Sequence, residues 1–130
     1  MDASLTIDEM ARRTGLTAHT LRYYERIGLI APVPRAPGGQ RRYAAADLDW
    51  IEFLLRLRDT RMPVAQMLVF ARLRAEGDAT VPQRRALLEA HLAEVNASLR
   101  AMQQAAAVLD TKITFYRAAE QAAKLLEIPA

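Results

Sequence analysis

The side chains of this chain best suited to chemistry are its arginines. Between Arg12 and Arg42 seven arginines face a single acid, Glu25, and a local excess of guanidinium charge attracts phosphate. The formal charge of +3 conceals this asymmetry, because residues 1 to 77 carry 12 basic and 9 acidic side chains whereas residues 78 to 130 carry 6 of each. Sixteen arginines against two lysines also fit a coding bias, so charge alone leaves a merely solvated basic face open. Other chemistries fail on residue type. The absence of Cys removes disulfides, thiolate metal sites and thiol switches. The two histidines, His19 and His91, fall on different elements and make no metal site. Asp47, Asp49 and Glu52 cluster where a helix starts, and no Gly-rich loop has P-loop or dinucleotide-binding spacing. The expectation is a protein with no enzymatic activity, no cofactor and no metal.

These side chains need elements to hold them, and the first half of the chain supplies short ones. Thr6-Ile7-Asp8-Glu9 is a capping box, followed by apolar Ile7, Met10 and Ala11 on one face and by Gly15 as the terminating residue. Thr17 caps a second helix that runs to about Ile27, and Gly28 closes it. Two short helices joined by a Gly-containing turn predict a helix-turn-helix, whose second helix fits a DNA major groove. Pro32, Pro34, Pro37 and the Gly38-Gly39 pair then predict a short hairpin with Arg35, Arg41 and Arg42 around it, as in a wing. A third helix begins near Asp47 with Leu48, Ile51, Leu54 and Leu55 on one stripe. Pro63 is expected to end it and to open a fourth helix at its own position. Gly77 and Pro82 bracket an expected linker.

From Gln83 to Ile128 the chain has neither Gly nor Pro over 46 residues. Leu88, Leu92, Val95, Leu99, Met102, Ala106, Leu109, Ile113 and Tyr116 follow one another in alternating steps of 4 and 3, which is a coiled-coil seam about 43 Å long at ~1.5 Å per residue. A second copy of the chain is the natural cover, the alternative being the core of an intramolecular bundle. At 130 residues the chain is about one domain with a helical extension. No run approaches a membrane span of roughly 18 apolar residues, and the first apolar stretch is broken by Asp8, Glu9, Arg12 and Arg13. A reducing cytoplasm is the expected location, with no membrane partner.

In this order, helix-turn-helix, arginine-bearing hairpin and terminal coil resemble the MerR family of dimeric bacterial transcription regulators. The resemblance centres on Thr20-Leu21-Arg22-Tyr23-Tyr24-Glu25-Arg26-Ile27-Gly28-Leu29-Ile30, with Arg41-Arg42-Tyr43 and Asp47-Leu48, and covers residues 5 to 75 closely. Lys112 to Tyr116 and Glu120 are similar to the coil end of the electrophile- and aldehyde-responsive branch. Phe53-Leu54-Leu55-Arg56-Leu57, however, lacks the cysteine that thiol-using members of that branch carry in the third helix. The resemblance implies that Arg22 and Tyr23 face DNA from the recognition helix, with Thr17, His19 and Thr20 near the groove, Arg35, Arg41 and Arg42 on the wing, and Arg58 on the backbone beside a second, helical wing. Two departures stand out: Ala44 replaces a polar cap, and Arg61 stands where the family often has Gly, altering the turn or adding a phosphate contact.

The expected fold is therefore mainly α: a winged helix-turn-helix DNA-binding domain over residues 1–77, a coiled-coil dimerisation helix over 78–118, and a helical tail over 119–130. The expected function is a homodimeric, DNA-binding transcription regulator that binds an inverted-repeat promoter operator and distorts its spacer, working on double-stranded DNA beside RNA polymerase. The alternatives are a helical protein-interaction module and an architectural DNA-binding protein without a signal. A small-molecule effector, if there is one, would be expected near Trp50, Phe53, Phe115 and Tyr116; core packing is the competing role for these aromatics.

Overall fold

The structure, a computed structural model, describes residues 4–127. The chain divides into two compact units, one running to Leu88 and the other beginning at Glu89. The first unit contains α1 (Ile7–Thr14), α2 (Ala18–Ile27), α3 (Ala45–Asp59), α4 (Val64–Ala75) and a 3-10 turn (Asp78–Thr80), and α5 starts within it and spans Val81–Glu127.

The first helix forms as its capping box demands. The Thr6 hydroxyl accepts the Glu9 amide at 3.1 Å, and the Glu9 carboxylate accepts the Thr6 amide at 3.2 Å. The hydrogen bond that the carboxylate accepts from the Thr6 amide, and secondarily the nearby Thr6 hydroxyl, hold the Glu9 carboxyl below its ordinary value of 4.5. The resulting stabilisation is complete above that value and is lost as pH falls through the lowered one. At α2 the Thr17 hydroxyl accepts the Thr20 amide at 3.0 Å. Ala44 offers no side chain to cap α3, but the Asp47 carboxylate reaches back to the Ala44 amide at 2.8 Å and completes half a capping box.

The hairpin is minimal. Arg35 and Arg41 form one antiparallel bridge, closed by Ala36 N–H donating to the Gln40 carbonyl at 2.7 Å and Arg42 N–H to that of Pro34 at 2.8 Å. Pro34 and Pro37 lack amide protons, so no longer ladder can form. A second bridge, absent from the sequence-based expectation, ties Leu5 to Tyr43 and carries the hairpin's outgoing arm to the start of α1. Periodicity gives no sign of it, because the paired segments are single residues nearly forty positions apart.

Two expected boundaries move. The third helix ends at Asp59, four residues before Pro63. Arg61 N–H donates to the Arg58 carbonyl and Met62 N–H to that of Leu57, both at 2.9 Å, which is a Schellman motif. Pro63 is extended, with ψ 146°, and caps α4 rather than opening it. The linker expected between Gly77 and Pro82 is reduced to the 3-10 turn. There the buried Thr80 hydroxyl contacts the carbonyls of Leu73 and Gly77, and Arg84 donates to Thr80 Oγ1 at 3.1 Å and to the Gly77 carbonyl at 3.0 Å. Pro82 is accommodated because the amides of a first helical turn have no partner inside the helix.

The core of the first unit joins Met10, Leu21, Leu29, Ile30, Tyr43, Ile51, Leu54 and Met67. Trp50 seals one side: its indole N–H donates to the Leu29 carbonyl at 2.8 Å, Phe70 stacks on its ring at 5.8 Å, and the Arg74 guanidinium lies 4.3 Å from its centroid. These partners give Trp50 a packing role in the core. Phe53, half-buried, joins the same aromatic cluster. Leu88 and Leu87 are partly buried against this core, so Leu88, expected at the head of the seam, packs within the first unit. Among the described residues the Tyr43 hydroxyl is buried without a hydrogen-bond partner, and burial raises its phenol above the ordinary value. Because an unsatisfied buried hydroxyl destabilises by about 1–3 kcal/mol, Tyr43→Phe is expected to raise stability by roughly 1 kcal/mol in denaturant titration.

Candidate nucleic-acid interface

The exposed face of α2 gathers the side chains that the sequence pointed to. His19, Arg22 and Tyr23 are exposed and Thr20 is half-buried, while the opposite face places Leu21 and Tyr24 in the core. This division follows from the helical period, which sets Leu21 and Tyr24 three apart and turns the residues between them outward. Arg26, which the sequence reading did not select, lies 5.3 Å from the Tyr23 ring centroid and extends the cationic face by one turn.

Between α2 and the hairpin lies a cavity of about 290 Å³ lined by His19, Arg22, Glu25, Arg26, Pro32 and Arg41. Glu25 organises it. Its carboxylate accepts from Arg41 Nε at 2.7 Å and from the Val33 amide at 3.4 Å, so one side chain on α2 holds both arms of the hairpin. Arg41 is half-buried in this ion pair, which fixes the hairpin's placement. Arg35 donates to the Gly39 carbonyl at 2.9 Å and braces the hairpin tip. The Thr17 hydroxyl both caps α2 and donates to the Thr20 hydroxyl at 3.0 Å. Arg42 and Arg58 are exposed with no ion pair among the described residues.

The Glu25 bridge was invisible to local pattern because its partners lie 8 and 16 residues away. Glu25→Gln keeps the shape but weakens the charge-assisted bond to Arg41. We expect a loss of about 1–2 kcal/mol in stability and a larger fractional loss of DNA affinity than of helix content, read by chemical denaturation, electrophoretic mobility shift and circular dichroism.

The second unit presents a different surface. Leu92, Leu99, Met102, Leu109, Ile113 and Tyr116 are exposed on one helix, with Val95 half-buried. Phe115 and Tyr116 meet edge to face at 5.5 Å, and Lys112 Nζ lies 5.7 and 5.9 Å from their rings. Both rings belong to this unit, whereas Trp50 and Phe53 belong to the first. No cluster of His, Cys, Asp or Glu among the described residues could hold a metal ion, and no helix among them is long and apolar enough to cross a membrane.

A capped recognition helix with a cationic outer face, braced against an arginine-bearing hairpin, defines a winged helix-turn-helix DNA-binding protein. The profile of the MerR family regulatory protein matches residues 6–43, which run from the α1 cap to the end of the hairpin. An uncharacterised helix-turn-helix regulator of Haemophilus influenzae is 31% identical over 129 residues, covering 95% of this chain and 96% of that protein. The transcriptional regulator AdhR of Bacillus subtilis is 43% identical over 84 residues, and the match spans 60% of its length. Among solved structures, HiNmlR, a MerR family regulator described as lacking the sensor domain and bound to promoter DNA, superimposes with a TM-score of 0.81. It is 30% identical, and the match covers 91% of this chain and 94% of that one. A structure from Listeria monocytogenes assigned to the same family gives 0.86 at 35% identity, covering 95% and 96%. The chain belongs to the MerR family, whose members are DNA-binding transcription regulators.

Proposed function

We propose that this chain acts as a homodimer on a promoter, each α2 entering the major groove of one half-site of an inverted repeat. Arg22 and Tyr23 face the bases or clamp the groove, His19 and Thr20 lie at its edge, and Arg42 and Arg58 anchor phosphates on either side. The observation that carries this reading is the outward row His19, Arg22, Tyr23 and Arg26 on a helix whose other face is fixed in the core. The DNA-bound structure of HiNmlR, similar over 91% of this chain, supports it.

Dimerisation through α5 follows from its exposed seam, because burying each large apolar side chain there would contribute roughly 1.5–3 kcal/mol. In this reading the protein works in the cytoplasm, catalyses no reaction, and influences RNA polymerase by bending and untwisting the DNA between the half-sites. Transcription in vitro from the operator this protein selects should depend on spacer length. Deleting one or two base pairs of spacer should change the response to the regulator, whereas an unchanged response would refute the distortion mechanism.

A further inference from the structure

Four helix ends of the first unit are followed by a residue with positive φ, and one of them breaks the pattern of the other three. α1, α2 and α4 are followed by Gly15, Gly28 and Gly77, at φ 76°, 92° and 93°. The turn after α3 places Arg61 in the equivalent position at φ 66°, and Arg61 is the one non-glycine residue among those described that adopts a positive φ. The motif around it is complete: both backbone hydrogen bonds are made, and Leu57 and Met62 are buried as its apolar pair. Nothing in the turn therefore calls for a side chain at position 61. A left-handed conformation there is unfavourable for an Arg and free of strain for a Gly.

The side chain held there is exposed and makes no ion pair or hydrogen bond among the described residues. Its neighbours leave its charge uncompensated, since Asp59 is engaged by Arg56 at 3.3 Å and the first turn of α4 carries no acid. Arg58, one turn earlier, is likewise exposed and unpaired. Two free guanidinium groups on one tight turn form a cationic point aimed at solvent, and strain retained at such a place points to a ligand rather than to folding.

We propose that Arg61 is a DNA-backbone contact, paired with Arg58 on the α3–α4 turn, and that it is kept in a strained conformation for its charge. This rests on the DNA-binding reading above. The test compares the full chain with Arg61→Gly and Arg61→Lys in thermal unfolding and in binding to a short duplex of random sequence at several salt concentrations, since phosphate contacts do not depend on sequence. Arg61→Gly should raise Tm by a few degrees, weaken binding roughly 3- to 10-fold at moderate salt, and lower the salt slope by about 0.9 for each contact removed. Arg61→Lys should keep the wild-type slope and show no rise in Tm. A Gly variant that binds as tightly as wild type, or that melts at a lower temperature, would overturn the proposal. Absence of any DNA binding by the unsubstituted chain would instead overturn the DNA-binding reading itself.

Discussion

Arg22→Ala is expected to weaken operator binding by roughly 5- to 150-fold per half-site, the equivalent of about 1–3 kcal/mol for a lost base-reading arginine. Arg22 projects from the outer face of α2 into the cavity beside the hairpin, and no acid among the described residues pairs with it. Its guanidinium is thus available to a guanine edge or to phosphate without first breaking an internal bond. Arg22→Lys should recover little if the contact is a bidentate one, because an ammonium cannot reproduce the planar fork. Arg42→Ala, by comparison, should weaken all sequences alike and mainly reduce the salt slope. Competition binding with selected and scrambled duplexes checks both, and unchanged affinity after Arg22→Ala would remove Arg22 from the interface. Folding should be untouched, as Arg22 is exposed while Leu21 and Tyr24 carry the packing of α2.

A second large effect is expected on assembly. Replacing Val95 and Leu99 together with Asp would place carboxylates inside the α5 seam, where an uncompensated buried charge destabilises by about 3–5 kcal/mol. The variant should sediment at its chain mass of 14.5 kDa, whereas the unsubstituted protein should sediment at about twice that. Its first unit should stay folded, because its core ends at Leu88 and does not include either position. Operator affinity should fall steeply, since each monomer then holds a single half-site and loses the high effective concentration of a linked pair. A monomeric wild-type protein would sink the seam hypothesis.

Much of the first unit could be read from sequence because its signals are local. Thr6 with Glu9, Thr17, and the glycines at 15 and 28 each act within one turn of the chain, and each does in the structure what its chemistry requires. The end of α3 was misplaced for the converse reason. A Schellman motif is recognised by its glycine, and Arg61 hides it, so Pro63 drew the boundary instead. The division of the arginines into free and engaged ones was equally illegible. Arg41 and Arg42 are adjacent in a basic run, and only the approach of Glu25 across the fold distinguishes the brace from the exposed charge. Trp50 shows the same limit: helical spacing alone names no partner for an aromatic, and the Leu29 carbonyl, Phe70 and Arg74 that surround it come from distant parts of the chain.

In the proposed mode of action two copies of this chain read one inverted repeat through their α2 helices. It is tested most directly by selecting duplexes from a random pool with the full-length protein. The selected duplex is then compared with one in which a single half-site is scrambled, with stoichiometry and affinity measured across a salt series. The expected result is a two-fold symmetric consensus, two chains per duplex, a steep fall of affinity with salt, and loss of most of the affinity when either half is scrambled. One chain per duplex, or equal affinity for intact and half-scrambled DNA, would contradict it.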